Sequence, residues 1–101
     1  MTDVRLKFED MGELRRRVVE LVDQEKVRIK WEHIRPSHDM RRHEILAALR
    51  YGTPLKPDRE VEGRYVTWSS LTEDGRVIRV VFEVQKIDGE LVVVVTAFGE
   101  E

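Results

Sequence analysis

The 101-residue sequence contains no cysteine and no asparagine. Without a thiol there is no disulfide, no thiolate nucleophile and no sulfur-ligated metal. No apolar run approaches the ~18 residues that a membrane-spanning helix needs. The first thirty residues are too charged for a secretory leader. The expected setting is therefore the cytoplasm, without membrane contact. The missing cysteine and asparagine, beside 38% charged residues, resemble the thermophile bias against thermolabile side chains and toward ion-pair networks.

What is present is globular: 41% apolar residues, enough for one core in a chain of this length. A single domain over 1–101 is expected, with an N-terminal helix region at 1–25 and an α+β core at 26–98. The formal charge of −2 hides an internal asymmetry. Between Lys26 and Arg50 there are seven basic residues against three acidic ones, whereas from Glu62 to Glu101 there are four against eight. Such a chain can turn a basic surface toward an anion while staying near neutral overall.

Periodicity predicts a helix from Asp10 to Asp23. Asp10 is the N-cap, Glu13 its capping partner, and Leu14, Val18, Leu21 and Val22 form one apolar stripe. Val27 to Ile34 alternates as a half-buried strand, with Val27, Ile29, Trp31 and His33 on one side. After Arg35-Pro36, Ser37 reads as the N-cap of a second helix that runs through Arg50 and ends at Gly52 in a left-handed conformation. Thr53 to Glu60, with Pro54 and Pro57, reads as a loop. Three strands follow: Arg64–Leu71, Val77–Gln85 and Leu91–Phe98, joined by turns at Glu73-Asp74-Gly75 and Asp88-Gly89. In the middle strand Ile78, Val80, Phe82 and Val84 share one apolar face, which should carry the helices. Leu91 to Val95 is apolar on both faces, as a central strand would be. The expected architecture is α+β: helix-strand-helix, then a three-stranded antiparallel meander, with the helices on one face of a four-stranded sheet.

The segment His33 to Ile45 holds all three histidines and three arginines. His33 closes the first strand on its apolar-facing side, and the next helix opens with His38, Arg41, Arg42 and His43. The unpaired N–H groups of a first helical turn, joined by guanidinium forks, suit a phosphate. A neighbouring imidazole can move a proton near neutral pH. These are the parts of a metal-free phosphodiester cleavage: a base for the 2′-hydroxyl, cations for the charge of the phosphorane, and an acid for the leaving oxygen. His38 and His43 stand roughly 140° apart around a helix, a poor metal pair, and no HExxH occurs, so no metal or cofactor is expected. Arg42 falls on the stripe of Ile45, Leu46 and Leu49, where it must snorkel, pair or line a pocket. Tyr65 and Thr67 alternate with Val66 and Trp68, and Arg79 opposes Phe82, positions read as ordinary surface ones.

The path His33, Arg41, Glu44-Ile45-Leu46-Ala47-Ala48-Leu49-Arg50-Tyr51-Gly52, Gly63-Arg64-Tyr65, Val80-Val81 and Val94-Val95-Thr96-Ala97-Phe98 resembles the small RelE-superfamily domains grouped with BrnT-like toxins. Their wider clan of metal-independent ribonucleases includes barnase. The resemblance covers about 27–98. It implies a toxin-type RNA endonuclease in which His33, as acid or base, and Arg41 match the group's His and Arg, Arg64 and Tyr65 its polar pair at a strand start, and Thr96 its terminal threonine. The chemistry of the residues themselves adds Arg42 beside Arg41 to stabilise the transition state, and Arg35, His38 and Arg79 as further RNA contacts. The resemblance also implies a cognate antitoxin. Two positions depart from the pattern: Ser37 stands where the group carries an arginine, and Phe98 where a tyrosine could donate a proton. The N-terminal helix lies outside the match, and is expected to serve a homodimer or another partner. The alternative is a non-catalytic module on the same scaffold that binds RNA or protein.

Overall fold

The computed structural model describes residues 4–30 and 41–100. The elements run β1 (Val4–Arg5), α1 (Met11–Asp23), β2 (Val27–Ile29), α2 (Arg42–Tyr51), β3 (Leu55–Pro57), β4 (Arg64–Ser69), β5 (Ile78–Ile87) and β6 (Glu90–Glu100). This is an α+β domain with two described helices and a mixed, mostly antiparallel sheet.

The sheet has six strands rather than four, ordered β2-β6-β5-β4-β3, with β1 pairing the far end of β5. The two additions are short edges. Leu55–Pro57 falls in the expected loop yet pairs antiparallel with β4, placing Pro57 opposite Tyr65. An edge position suits proline, which has no N–H for a second neighbour. β2 runs parallel to β6, with Val27 opposite Val93, and β4, β5 and β6 pair antiparallel in sequence. Between β5 and β6 the turn at Asp88 (φ 50°) and Gly89 (φ 82°) takes positive φ at both central residues, the conformation whose twist matches a hairpin.

One face of the sheet carries both helices. α1 buries Leu14, Val18, Leu21 and Val22, the stripe its periodicity predicts, and Asp10 caps it by accepting the Gly12 N–H at 2.8 Å. These side chains pack with Ile45, Ala48 and Leu49 of α2 over Tyr65, Ile78, Val80, Phe82, Val84, Val93 and Val95. The two helices are also fastened by polar contacts. Arg15 of α1 donates to the carbonyls of Leu49 (2.6 Å), Ala48 (3.4 Å) and Gly52, so it occupies the carbonyls that a helix end leaves without partners. Arg50 of α2 pairs with Asp23 of α1.

α2 departs from expectation at both ends. Arg41, expected within the helix, is extended (φ −101°, ψ 150°) and stands at the N-cap, while the proposed cap Ser37 lies outside the described residues. Glu44 sets the start by reaching back to accept the Arg41 N–H at 3.0 Å. At the other end Gly52 has φ −58° and ψ 145°, not a left-handed conformation. Glycine is needed there for closeness: a Cβ would come within 3 Å of Thr67 Oγ1 and of the carbonyls of Ala48 and Trp68. Arg42 is exposed, because the buried stripe is Glu44, Ile45, Ala48 and Leu49 and Arg42 lies about 90° from its centre.

Candidate nucleic-acid interface

The second face of the sheet carries no described helix, and alternation assigns its side chains. Arg28 comes from β2, and Lys30 directly follows that strand, its N–H donating to the Val95 carbonyl at 3.1 Å; from β4 come Arg64, Val66 and Trp68, and from β5 Arg79, Val81, Glu83 and Gln85. β3 adds Lys56, opposite Val66, and β1 adds Arg5, opposite Gln85. Exposed Arg28, Lys30 and Arg79 make no side-chain hydrogen bond or ion pair among the described residues.

Lys30, Asp58, Arg64, Arg79, Val81, Thr96 and Ala97 line a groove of about 450 Å³ on this face. Thr96 reaches it through a register break: Val81 pairs with Ala97 and Phe82 with Val95, leaving Thr96 as the extra residue of a β-bulge. Its hydroxyl donates to the Val81 carbonyl at 3.3 Å. A second hollow, of about 420 Å³, adjoins it through Asp58 and Arg79 and extends to Lys56 and Trp68. There the Lys56 ammonium stands 5.0 Å from the centre of the Trp68 ring, a cation–π distance. The two hollows form one trough across the strands.

Beside the groove sits a buried carboxylate. Glu83, 2% exposed, accepts from Arg64 Nε (2.8 Å) through one oxygen, and from Arg5 Nε (3.1 Å) and Gln85 Nε2 (2.7 Å) through the other. Burial alone would raise its pKa, but the bonds from Arg64 and Gln85 and the charges of Arg5 and Arg64 outweigh it and hold the carboxyl below the ordinary range. Asp58, at the groove edge, is also held low, first by the Glu60 N–H it accepts and also by the nearby charges of Arg64 and Arg79.

Of the residues singled out from sequence, Arg64, Arg79 and Thr96 are brought together here. Tyr65 is not. It points to the helical face, 2% exposed, where its hydroxyl accepts the Phe8 N–H at 2.6 Å, so the surface position expected for it is wrong. Thr67, on the same face, is fully buried. Arg41 and Arg42 belong to the helical layer and do not line the groove. Arg41 Nε lies 3.6 Å from Glu73 Oε1, and His43 Nε2 is 3.8 Å from the same atom. His33, Arg35 and His38 lie outside the described residues.

Lys30, Lys56, Asp58 and Glu83 are not among the site candidates marked from the sequence. Lys30 had a usable signal, since it follows Arg28 in strict alternation on a strand whose other side is apolar. Asp58 had none, because its position depends on β3 pairing with β4. No family model, curated protein or solved structure matches this chain.

Proposed function

We propose that the protein binds RNA through the trough on the open face of its sheet. The observation that carries this reading is the convergence of Lys30, next to β2, with Arg64 of β4 and Arg79 of β5 on one groove, where exposed Lys30 and Arg79 make no side-chain hydrogen bond or ion pair among the described residues, in a chain of net charge −2. Cations left without partners on a surface rich in carboxylates suit a polyanion, and phosphate contacts supply most of the affinity of such sites. A groove that crosses neighbouring strands and carries cations from several of them suits the backbone of a single strand. Thr96 adds a hydroxyl at the groove wall.

The same groove supports a second reading, in which bound RNA is cut without a metal. Arg64, Arg79 and Thr96, all candidates on chemical grounds or by resemblance to RelE-like domains, line it together, and His33 follows Lys30 by three residues in sequence. On this reading 26–98 is a RelE-like core and His33 is the acid or base. The product ends in a 2′,3′-cyclic phosphate, and a cognate antitoxin silences the enzyme in the cytoplasm. Arg41 and Arg42 do not line the groove and carry no step in it.

The test is fluorescence anisotropy with a labelled single-stranded RNA, followed by incubation of the same RNA in EDTA. Binding that Lys30→Ala and Arg79→Ala weaken supports the first reading, and absence of RNA binding at low salt overturns it. Cleavage in EDTA that His33→Ala abolishes without loss of binding supports the second, whereas binding without cleavage leaves a non-catalytic module.

A further inference from the structure

A buried carboxylate is out of place on a face that receives a polyanion. Glu83 sits at the centre of the open face, with one oxygen on Arg64 Nε and the other shared by Arg5 Nε and Gln85 Nε2. Its local effect on a phosphate is repulsive. Its effect on Arg64 is geometric. The bond through Nε fixes the plane of the guanidinium, while the two terminal nitrogens make no hydrogen bond among the described residues and belong to a side chain that lines the groove. Among the described residues, Arg64 alone of the three groove cations is held in this way, whereas exposed Arg79 and Lys30 make no side-chain hydrogen bond or ion pair there and are free to sweep through rotamers.

We infer that Arg64 is the subsite for a single phosphodiester, presenting its terminal nitrogens as a preset fork, and that Glu83 is the positioning residue that aims it, with Arg79 and Lys30 as the mobile cations around it. This rests on the RNA-binding reading and adds to it the point of attachment. A planar guanidinium matches two phosphate oxygens at once, and a fork already fixed gives up less rotamer freedom on binding. Arg5 keeps the carboxylate charge-balanced without occupying the groove. It is not a groove-lining residue, and it also donates to the Glu62 carbonyl at 3.0 Å, passing over Gly63, where a Cβ would collide with its stem.

The inference reverses the sign expected from simple electrostatics. Removing a carboxylate near a polyanion site should strengthen binding, but removing one that aims the phosphate contact should weaken it. The probe is a 2′-O-methyl oligouridylate of ~10 nucleotides, which cannot be cleaved and spans a typical single-strand site. Glu83→Gln is expected to weaken binding about tenfold, and to lower the salt slope by about 0.7, as loss of one phosphate contact requires. Arg64→Lys, which keeps both the charge and a partner for Glu83 but has no fork, should lose affinity by a similar factor. In an Arg64→Ala background the Glu83→Gln change should no longer weaken binding.

Wild-type protein that binds, with Glu83→Gln binding equally well or more tightly, overturns the positioning role while leaving the RNA reading intact. Wild-type protein that does not bind overturns both. If Glu83→Gln loses its far-UV circular dichroism, Arg64→Lys alone decides: unchanged affinity overturns the fork, and reduced affinity at unchanged net charge supports it.

Discussion

The carboxylate of Glu44, in the first turn of α2, accepts the backbone N–H of Glu73, in the turn between β4 and β5, at 3.1 Å. With its other oxygen it accepts the Arg41 N–H at 3.0 Å, and Arg76 Nη2 approaches to 3.8 Å. One buried acid thereby starts a helix and fastens it to the far end of the sheet.

Glu44→Ala should therefore destabilise strongly. It strands two N–H groups and opens a cavity where a side chain is 1% exposed, a combination that costs about 2–4 kcal/mol. Equilibrium urea unfolding is the check. A midpoint equal to that of the wild type would show that the contact contributes nothing.

Acid should unfold the protein through the same groups. Glu44 is held low, first by the Arg41 N–H, against a smaller opposing effect of burial, and Glu83 is held low by its arginine and glutamine partners despite its burial. A depressed carboxyl pKa gives stability that is complete above the unfolded value, about 4.3 for glutamate. That stability is lost as pH falls through the folded value, because the unfolded chain takes up protons first. Unfolding free energy should thus be flat from neutrality down to about pH 5 and fall below it. Glu44→Gln should flatten the acid limb in thermal melts taken across pH, and a limb of unchanged steepness counts against this assignment.

Glycines 52 and 75 should respond differently to alanine. At Gly52 the obstacles are backbone carbonyls that cannot swing aside, so about 1–3 kcal/mol of overpacking is expected. At Gly75 there is open space and only the positive φ of 76° to resist, worth about 1–2 kcal/mol. Melting temperatures of the two variants give the comparison, and the Gly52 variant should also perturb the Trp68 environment seen by fluorescence.

Thr67→Val should stabilise. The Thr67 hydroxyl is fully buried and has no hydrogen-bond partner among the described residues, so an isosteric methyl removes a desolvated group at no cost in packing, for a gain of about 1 kcal/mol. Denaturant titration would show the midpoint rise, and a fall would mean that the hydroxyl does have a partner.

Groove cations should act additively and without choice of sequence. Lys30→Ala and Arg79→Ala are each expected to lower the slope of log affinity against log salt by about 0.7 on single-stranded RNA. Arg16→Ala, on the exposed side of α1, should leave the slope unchanged.

Local patterning made much of this fold legible. The stripe Leu14, Val18, Leu21 and Val22 is buried as its 3.6-residue period requires, and Val92 to Val95, which alternate between the two faces of the sheet, are all buried. What escaped depends on partners distant in sequence. β1 is two residues and β3 three, too short to alternate, and each exists only because a longer strand offers it an edge. Arg42 shares a nominal stripe with Ile45 and Leu49, but a helix that begins at Arg42 turns that residue to solvent. Within the site, Arg79 and Thr96 could be marked from sequence, whereas the Glu83 cluster could not. Its burial requires Arg5 and Arg64, far apart in the sequence, to meet on one carboxylate.

The parallel pairing of Val27 with Val93 ties assembly of the domain to the order of synthesis. Until β6 leaves the ribosome, β2 has no neighbour, β5 lacks its longer partner, and α1 has only part of the surface it covers. The nascent domain must therefore wait for β6 to slide between β2 and β5. A chain that stops at Gly89, without β6, should be readily digested by proteases, whereas the chain that includes β6 should resist them.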